Sequence, residues 1–227
     1  MKLINKSSEN MNEVADNSAN LFFLAPPYHI GTTYGKNEDK RSQQEWFSLM
    51  QSVINESNRF LKNNGVVLIE ASDTLLWGDR TIQLADYLQA EYVKRGFHVN
   101  ERHIFFANSK NGVILPEHGW DDNYTTLGNT HSNIGQYIVL SRTNPDFKGG
   151  RVFYENYEAR DGHPCPSPQN TLDEIASPHI SKDSLVVDSF MGIGTMGEIV
   201  QKNQGSFVGY ELDTTIFNTA KRNLGEK

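Results

Sequence analysis

The stretch from Ser184 to Asp213 constrains this chain most. It reads Ser-Leu-Val-Val-Asp-Ser-Phe-Met-Gly-Ile-Gly-Thr-Met-Gly, then a helical turn or two, then Gly-Ser-Phe-Val-Gly-Tyr-Glu-Leu-Asp. The apolar run Leu185 to Val187 closes on an acid, Asp188, as a buried parallel strand would. Gly192 and Gly194 let the backbone turn tightly and approach a ligand with no Cβ in the way. The helix that follows points its free N–H groups at the same ligand. A second strand, 207–210, ends at Glu211, 23 residues beyond Asp188. A nucleotide-binding βαβ unit holds a ribose diol with an acid at about that spacing. The stretch is predicted to bind a nucleoside-containing cofactor.

Spacing alone leaves the cofactor class open. Gly192-Ile-Gly194-Thr-Met-Gly197 satisfies the dinucleotide pattern G-x-G-x-x-G, which keeps an NAD(P) enzyme as an alternative. Position argues against it. Only 16 residues follow Glu211, too few for a second βαβ half, so the rest of the sheet must come from the N-terminal side. An NAD enzyme usually begins with this unit.

A length of 227 residues predicts one domain, with 37% hydrophobic and 22% charged residues in the range of a soluble globular protein. No apolar run approaches the roughly 18 residues of a membrane span, and the first residues lack the apolar core of a signal peptide. These features, with the single cysteine, Cys165, predict a reducing, cytoplasmic setting without disulfides. The net charge of −7 with only 21 Lys and Arg predicts few phosphate contacts if DNA is the substrate, or help from a second copy or a partner subunit. The seven histidines show no metal-ligand spacing, so no metal is expected.

Taken in order, 3–4 is a short strand candidate, and Ser8 can cap a brief helix carrying Met11 and Val14 on one face. Residues 21–24 form an apolar strand that ends in Ala25-Pro26-Pro27-Tyr28, where prolines stop the ladder. Residues 44–62 have helical periodicity, ended by Asn63-Asn64-Gly65. A buried strand is expected at 66–69, a second helix at 80–95, and one or two strands at 97–106. Alternation of this kind makes a mostly parallel sheet with helices on both faces. Residues 108–162 break the rhythm with Gly, Asn, Asp and aromatics around one strand at 136–141, and a loop-rich stretch this long is usually functional. His163-Pro164-Cys165-Pro166-Ser167-Pro168 follows as an extended segment. Thr171 is expected to cap a short helix, Asp213 to cap the last one, near 214–224.

Three blocks stand in a fixed order: Pro-Pro-Tyr early, His-Pro-x-Pro-x-Pro late, and the glycine loop last. Asp-Ser-Phe-Met-Gly-Ile-Gly-Thr resembles the S-adenosylmethionine (SAM) site of DNA amino-methyltransferases, usually Asp-Pro-Phe-x-Gly-x-Gly-Thr, with Ser189 in place of Pro. The block order resembles the β group of adenine-N6 and cytosine-N4 enzymes. The resemblance implies an α/β, Rossmann-like SAM-dependent methyltransferase fold, circularly permuted. It implies a single domain, 1–227, with a catalytic half over about 1–107, a target-recognition insertion over about 108–162 and a SAM-binding half over about 163–227.

By the same resemblance, His163, Pro164, Pro166, Pro168 and Phe190 flank the methionine and adenine parts of SAM, while Asp188, Gly192, Gly194 and Thr195 line its amino-acid end. Glu211 would accept hydrogen bonds from both ribose hydroxyls. Relatives often carry Gly-Asp after the first strand, where the acid can meet the SAM adenine; here Asn5-Lys6 stands there. The catalytic block would be Ala25, Pro26, Pro27 and Tyr28, acting on a base flipped out of DNA, with Tyr28 stacked on it. The family has Asp, Asn or Ser at the first position. A polar side chain there and the carbonyl of the next residue, Pro26, accept the two N–H groups of the target amine. Ala25 offers no acceptor, which predicts an impaired enzyme, by engineering or by recent loss, or a non-catalytic relative that binds SAM or DNA. Ala differs from Ser by one oxygen, and Ser-Pro-Pro-Tyr is frequent among cytosine-N4 enzymes, so cytosine N4 is favoured over adenine N6.

Overall fold

The computed structural model describes residues 1–27, 33–34, 37–38, 41–73, 75–77, 80–108, 134–156, 160–163 and 166–226. Tyr28, His29, Asp79, Pro164, Cys165 and residues 109–133 of the middle region lie outside these.

The main sheet contains β1 (Lys2–Ile4), β2 (Ala19–Leu24), β5 (Leu61–Ser72), β8 (His98–Asn108), β9 (Ile134–Ser141), β10 (Val152–Asn156), β11 (Leu185–Asp188) and β12 (Ser206–Tyr210). Their order across the sheet is β1-β12-β11-β2-β5-β9-β8-β10. The first five pair parallel, β9 runs antiparallel to both neighbours, and β10 adds parallel to β8. Two small antiparallel pairs, β3 (Thr33–Tyr34) with β4 (Asn37–Glu38) and β6 (Leu75–Trp77) with β7 (Arg80–Ile82), stand outside it. The early strand β1 pairs with the late strand β12, Leu3 opposite Gly209, and β11 pairs with β2, Val187 opposite Phe22. Segments from the two halves of the chain therefore interleave within a single sheet.

Helices cover both faces, because successive residues of a strand point to opposite sides. Phe22 and Leu24 face α1 (Gln43–Phe60) and α2 (Leu84–Val93), packing with Trp46, Met50, Val53, Ile54, Leu88 and Tyr92. Leu21 and Phe23 belong to the opposite core, with Leu172 and Ile175 of α3 (Gln169–Ala176), Met196 and Ile199 of α4 (Thr195–Lys202), and Ala220 of α5 (Thr214–Asn223). The sheet is thus mostly parallel and double-sided, the Rossmann-like α/β architecture expected. Ser42 and Glu45 begin α1 with a reciprocal capping box, and Asp213 caps α5 by accepting from the N–H groups of Thr215 and Ile216.

Five local expectations differ from the structure. The helix expected over 44–62 ends at Phe60, and β5 begins at once, running through Asn63-Asn64-Gly65. A Cβ on Gly65 would stand 2.9 Å from the Lys62 carbonyl and 3.2 Å from that of Ala19, so this glycine permits close backbone approach inside a strand instead of ending a helix. No helix forms around Ser8. Met11 and Val14 are buried, and their backbone groups are satisfied by α1: the Met11 N–H donates to Glu56 at 2.7 Å, and Arg59 donates to the carbonyls of Met11 and Val14 at 3.2 and 2.9 Å. The helix expected from 80 starts at Leu84, since Arg80–Ile82 is the strand β7. Thr171 lies within α3, which Pro168 begins by accepting from the Leu172 N–H at 2.9 Å. The middle region also holds a second strand, β10, beyond the one expected.

The edge strand β10 is docked by backbone bonds from Arg102 to Gly149 and from Ile104 to Arg151, at 3.1 and 2.9 Å. A Cβ on Gly150, between them, would lie 1.7 Å from the Arg102 carbonyl oxygen. Gly150→Ala is therefore expected to destabilise the protein by about 1–3 kcal/mol in urea denaturation, the usual cost of overpacking. An unchanged midpoint would show that β10 can shift freely.

Candidate functional site

The chain leaves β11 toward α4 and β12 on one side of the sheet order, and leaves β2 toward α1 and β5 on the other. Neighbouring parallel strands whose connections diverge leave a crevice beyond their carboxyl ends, where ligands bind in open α/β sheets. A cavity of about 440 Å³ lies there. It is lined by Ala25, Pro26 and Pro27 after β2, by Glu70 in β5, by Asp188 to Ile193 after β11, by Tyr210 to Asp213 after β12, and by His163, Pro166 and Ser167.

Hydrogen bonds through one carboxylate shape the turn after β11. Glu211 accepts from the Gly192 N–H at 3.0 Å and from the Asp213 N–H at 2.8 Å. The Met191 N–H donates to the Tyr210 carbonyl at 2.8 Å. Gly192 and Gly194 adopt φ of +55° and +93°, a left-handed conformation that side chains disfavour. Gly197 serves packing, since a Cβ there would lie 2.8 Å from the Leu224 side chain. The Ser189 N–H and hydroxyl both lie near the Phe23 carbonyl, at 3.4 and 3.3 Å. A proline at this position would have no N–H to give. Asn5 is taken up structurally: its amide donates to the carbonyls of Glu211 and Leu212 at 2.8 and 3.1 Å. Lys6 lines the cavity and pairs with Glu13 at 2.8 Å.

Three acids with raised pKa face this space, Asp188 and Glu70 buried and Glu211 half-buried. Burial pushes the Asp188 carboxyl up to about 8, against the 3.1 Å bond it accepts from the Phe190 N–H and with added repulsion from Glu211 and Glu70. Burial raises Glu211 to about 7, opposed by the backbone N–H groups it accepts. Burial raises Glu70 to about 7, opposed by the hydroxyls of Ser167 and Tyr137. His163 is held neutral, its pKa lowered to about 4 by burial, and its Nε2 would stand 3.3 Å from a Cβ on Gly192.

Of the residues singled out in the sequence, Ala25, Pro26, Pro27, His163, Pro166, Asp188, Phe190, Gly192, Thr195 and Glu211 line the cavity. Gly194 and Pro168 do not. Gly194 packs beneath it, where a Cβ would lie 3.0 Å from Leu224, and Pro168 starts α3. Trp46, in the core face of α1, also donates from Nε1 to the Pro27 carbonyl at 2.7 Å, fixing the proline turn. Glu70 was missed altogether. Its signal was available, for Val-Val-Leu-Ile-Glu repeats the pattern of an apolar run closing on an acid seen at Asp188.

The sequence profile of the N6/N4-type DNA methylase family matches residues 19–137 and 120–222. The chain belongs to that family. It is 23% identical to the type II methyltransferase M.BglII of Bacillus subtilis over 96% of this chain and 67% of that protein. Among solved structures, the cytosine-N4-specific PvuII DNA methyltransferase superposes with a TM-score of 0.70 at 16% identity, covering 96% of this chain and 84% of that one. The SAM complex of M1.HpyAVI superposes with a TM-score of 0.67 at 16% identity, covering 98% of each. The protein is a SAM-dependent DNA amino-methyltransferase by family, and DNA is its substrate class. Among the described residues no helix is long and apolar enough to cross a membrane.

The cavity suits SAM on its own chemistry. SAM carries a sulfonium and an ammonium, and the three acids around the space, whose ionisation burial disfavours, would ionise more readily beside a cation. Without ligand, these acids weaken the fold as they ionise. Each has a folded-state pKa above its unfolded value of 3.8 or 4.5, so the folded protein holds more protons and loses stability as pH rises through the window. His163, lowered, acts in the opposite sense, but only between about 4 and 6.5. The ligand-free methyltransferase is therefore expected to melt several degrees lower at about pH 8.5 than at about pH 6.5. A melting temperature that rises over this interval would contradict the burial of these acids.

Proposed function

We propose that the protein transfers a methyl group to an exocyclic base amine in DNA, cytosine N4 ahead of adenine N6, with SAM across the ends of β11 and β12 and the base at the end of β2. The observation that supports this best is the juxtaposition of the Ala25-Pro26-Pro27 turn with Asp188 and Glu211 around one cavity. SAM, when bound, supplies a methyl carbon activated by its sulfonium. Glu211 keeps oxygen lone pairs beyond its two backbone bonds and accepts from the ribose diol. Asp188 opposes the ammonium. His163, Pro164, Pro166 and Phe190 enclose the remainder of the cofactor. The Pro26 carbonyl accepts one N–H of the amine, and Tyr28 stacks on the flipped base.

In this reading 1–107 is the catalytic half, 108–162 reads the DNA, and 163–227 holds SAM, all within one domain. The net charge of −7 favours a second copy or a partner subunit sharing the phosphate contacts. Such an enzyme works in the cytoplasm with its DNA. Preference for cytosine rests on the single oxygen that separates Ala25 from the serine of many cytosine-N4 relatives. Ala25 also supports a second reading, a non-catalytic SAM-binding relative.

The deciding experiment incubates the protein with duplex DNA and isotopically labelled SAM and identifies methylated nucleosides by mass spectrometry. N4-methylcytosine is expected. N6-methyladenine would reassign the base, and tight SAM binding without any methylation would favour the non-catalytic reading. Glu211→Ala is expected to weaken SAM binding by about 1.5–3 kcal/mol, the worth of hydrogen bonds to a charged group. Unchanged affinity in a calorimetric titration would remove Glu211 from the ribose site.

A further inference from the structure

We propose that Glu70 is a catalytic residue of this enzyme, supplying from β5 the polar acceptor for the target amine that Ala25 lacks on β2. The inference rests on the methyltransferase reading and deepens it. Strands β2 and β5 pair in parallel, with Phe23 opposite Leu68 and Leu24 opposite Ile69. The ladder ends there, and continuing its register by one residue sets Ala25, the first residue beyond β2, level with Glu70. Partners in a parallel ladder project to the same face of the sheet, and both residues line the cavity. Glu70 is 2% exposed. The hydroxyls of Ser167 and Tyr137 stand beside its carboxyl, while Oε2 is buried and makes no hydrogen bond of normal geometry among the described residues. A buried carboxylate oxygen left unsatisfied costs free energy in the empty protein, and an amine N–H entering beside Ala25 would satisfy it.

The chemistry balances without a further reactant. The amine nitrogen uses its lone pair to form the bond to the methyl carbon. The carbon–sulfur bond breaks, and its electron pair goes to sulfur. The surplus proton on the nitrogen passes to Glu70 Oε2. With the Pro26 carbonyl holding the other N–H, both polarising contacts are restored from two adjacent strand ends. A serine or aspartate at position 25 and a glutamate at position 70 are then alternative ways to place an oxygen at one point in the cavity.

The test measures single-turnover methyl transfer to duplex DNA, together with SAM and DNA affinities, for wild type, Glu70→Gln, Ala25→Ser and the double variant. Glu70→Gln is expected to lower the transfer rate by about 10²-fold or more, with SAM affinity unchanged within about twofold. Ala25→Ser in the Glu70→Gln background is expected to recover at least about tenfold, because the serine oxygen supplies an uncontested acceptor where the glutamine presents an NH2 group as well as an oxygen. Should Glu70→Gln fail to fold, Glu70→Asp, which withdraws the carboxyl by one methylene, is expected to lose at least about tenfold. Transfer by Glu70→Gln at the wild-type rate overturns the proposal, as does a parallel loss of SAM affinity, which would make Glu70 part of the cofactor pocket. An inactive wild type with an active Ala25→Ser also overturns it and leaves the methyltransferase reading intact. If neither wild type nor any variant methylates DNA, both readings fall together.

Discussion

The double hydrogen bond that Glu211 accepts, from Gly192 and from Asp213, is the contact on which the site's geometry rests. It ties the turn after β11 to the turn after β12. A carboxylate that accepts two backbone N–H groups is fixed in direction, and it holds Gly192 in the left-handed conformation that opens the backbone to a ligand. The chain's first strand braces the same corner. The Glu211 N–H donates to the Ile4 carbonyl at 3.1 Å, and Asn5 bonds the carbonyls of Glu211 and Leu212. Residues from opposite ends of the chain therefore build one wall of the cavity.

That closure also explains how the order of blocks along the chain works. Strands β11 and β12 come last in the chain, yet β11 sits between β12 and β2 in the sheet. Ladder pairing depends on position in the sheet and not on order in the sequence, so Asp188 stands opposite Phe23 although 165 residues separate them. Ser189 extends this seam by one more contact to the Phe23 carbonyl. The departure from the family's proline thus strengthens the junction between the two halves.

Much of this was legible in the sequence, and the limits have physical causes. The strands around Leu21, Val66, Leu185 and Phe207 read clearly because a strand buried on both faces is a continuous apolar run. The helices α1 and α5 read from period and caps. Gly65 misled because a glycine after a helical run has the same letters whether it ends the helix or admits a neighbouring backbone. Met11 and Val14 misled because helical spacing shows which residues are buried, and here Arg59 and Glu56 do the work that helical hydrogen bonds would have done. Within the site, Asp188, Glu211 and the proline turn were found from motifs. Glu70 closes an apolar run as Asp188 does, but its nearness to Ala25 depends on the register between β2 and β5, which the sequence does not show.

The register also bears on what an alanine in a catalytic block means. If the three acids were mere remnants, keeping them buried would be hard to explain, since each raises the cost of folding as it ionises. Their retention makes sense where a cationic ligand offsets that cost when it binds. Asp188 and Glu211 lie at the ends of β11 and β12, and Glu70 lies in β5, beside β2. The acids of the cavity therefore extend from the ends of β11 and β12 to the end of β2. A parallel sheet offers nearly equivalent positions at the ends of adjacent strands, separated by about 4.8 Å. A glutamate has the reach to span much of that gap, so a function that needs an oxygen at a point in space can be met from either strand. On the proposal that Glu70 supplies the acceptor, an alanine at position 25 leaves that requirement within reach of the neighbouring strand.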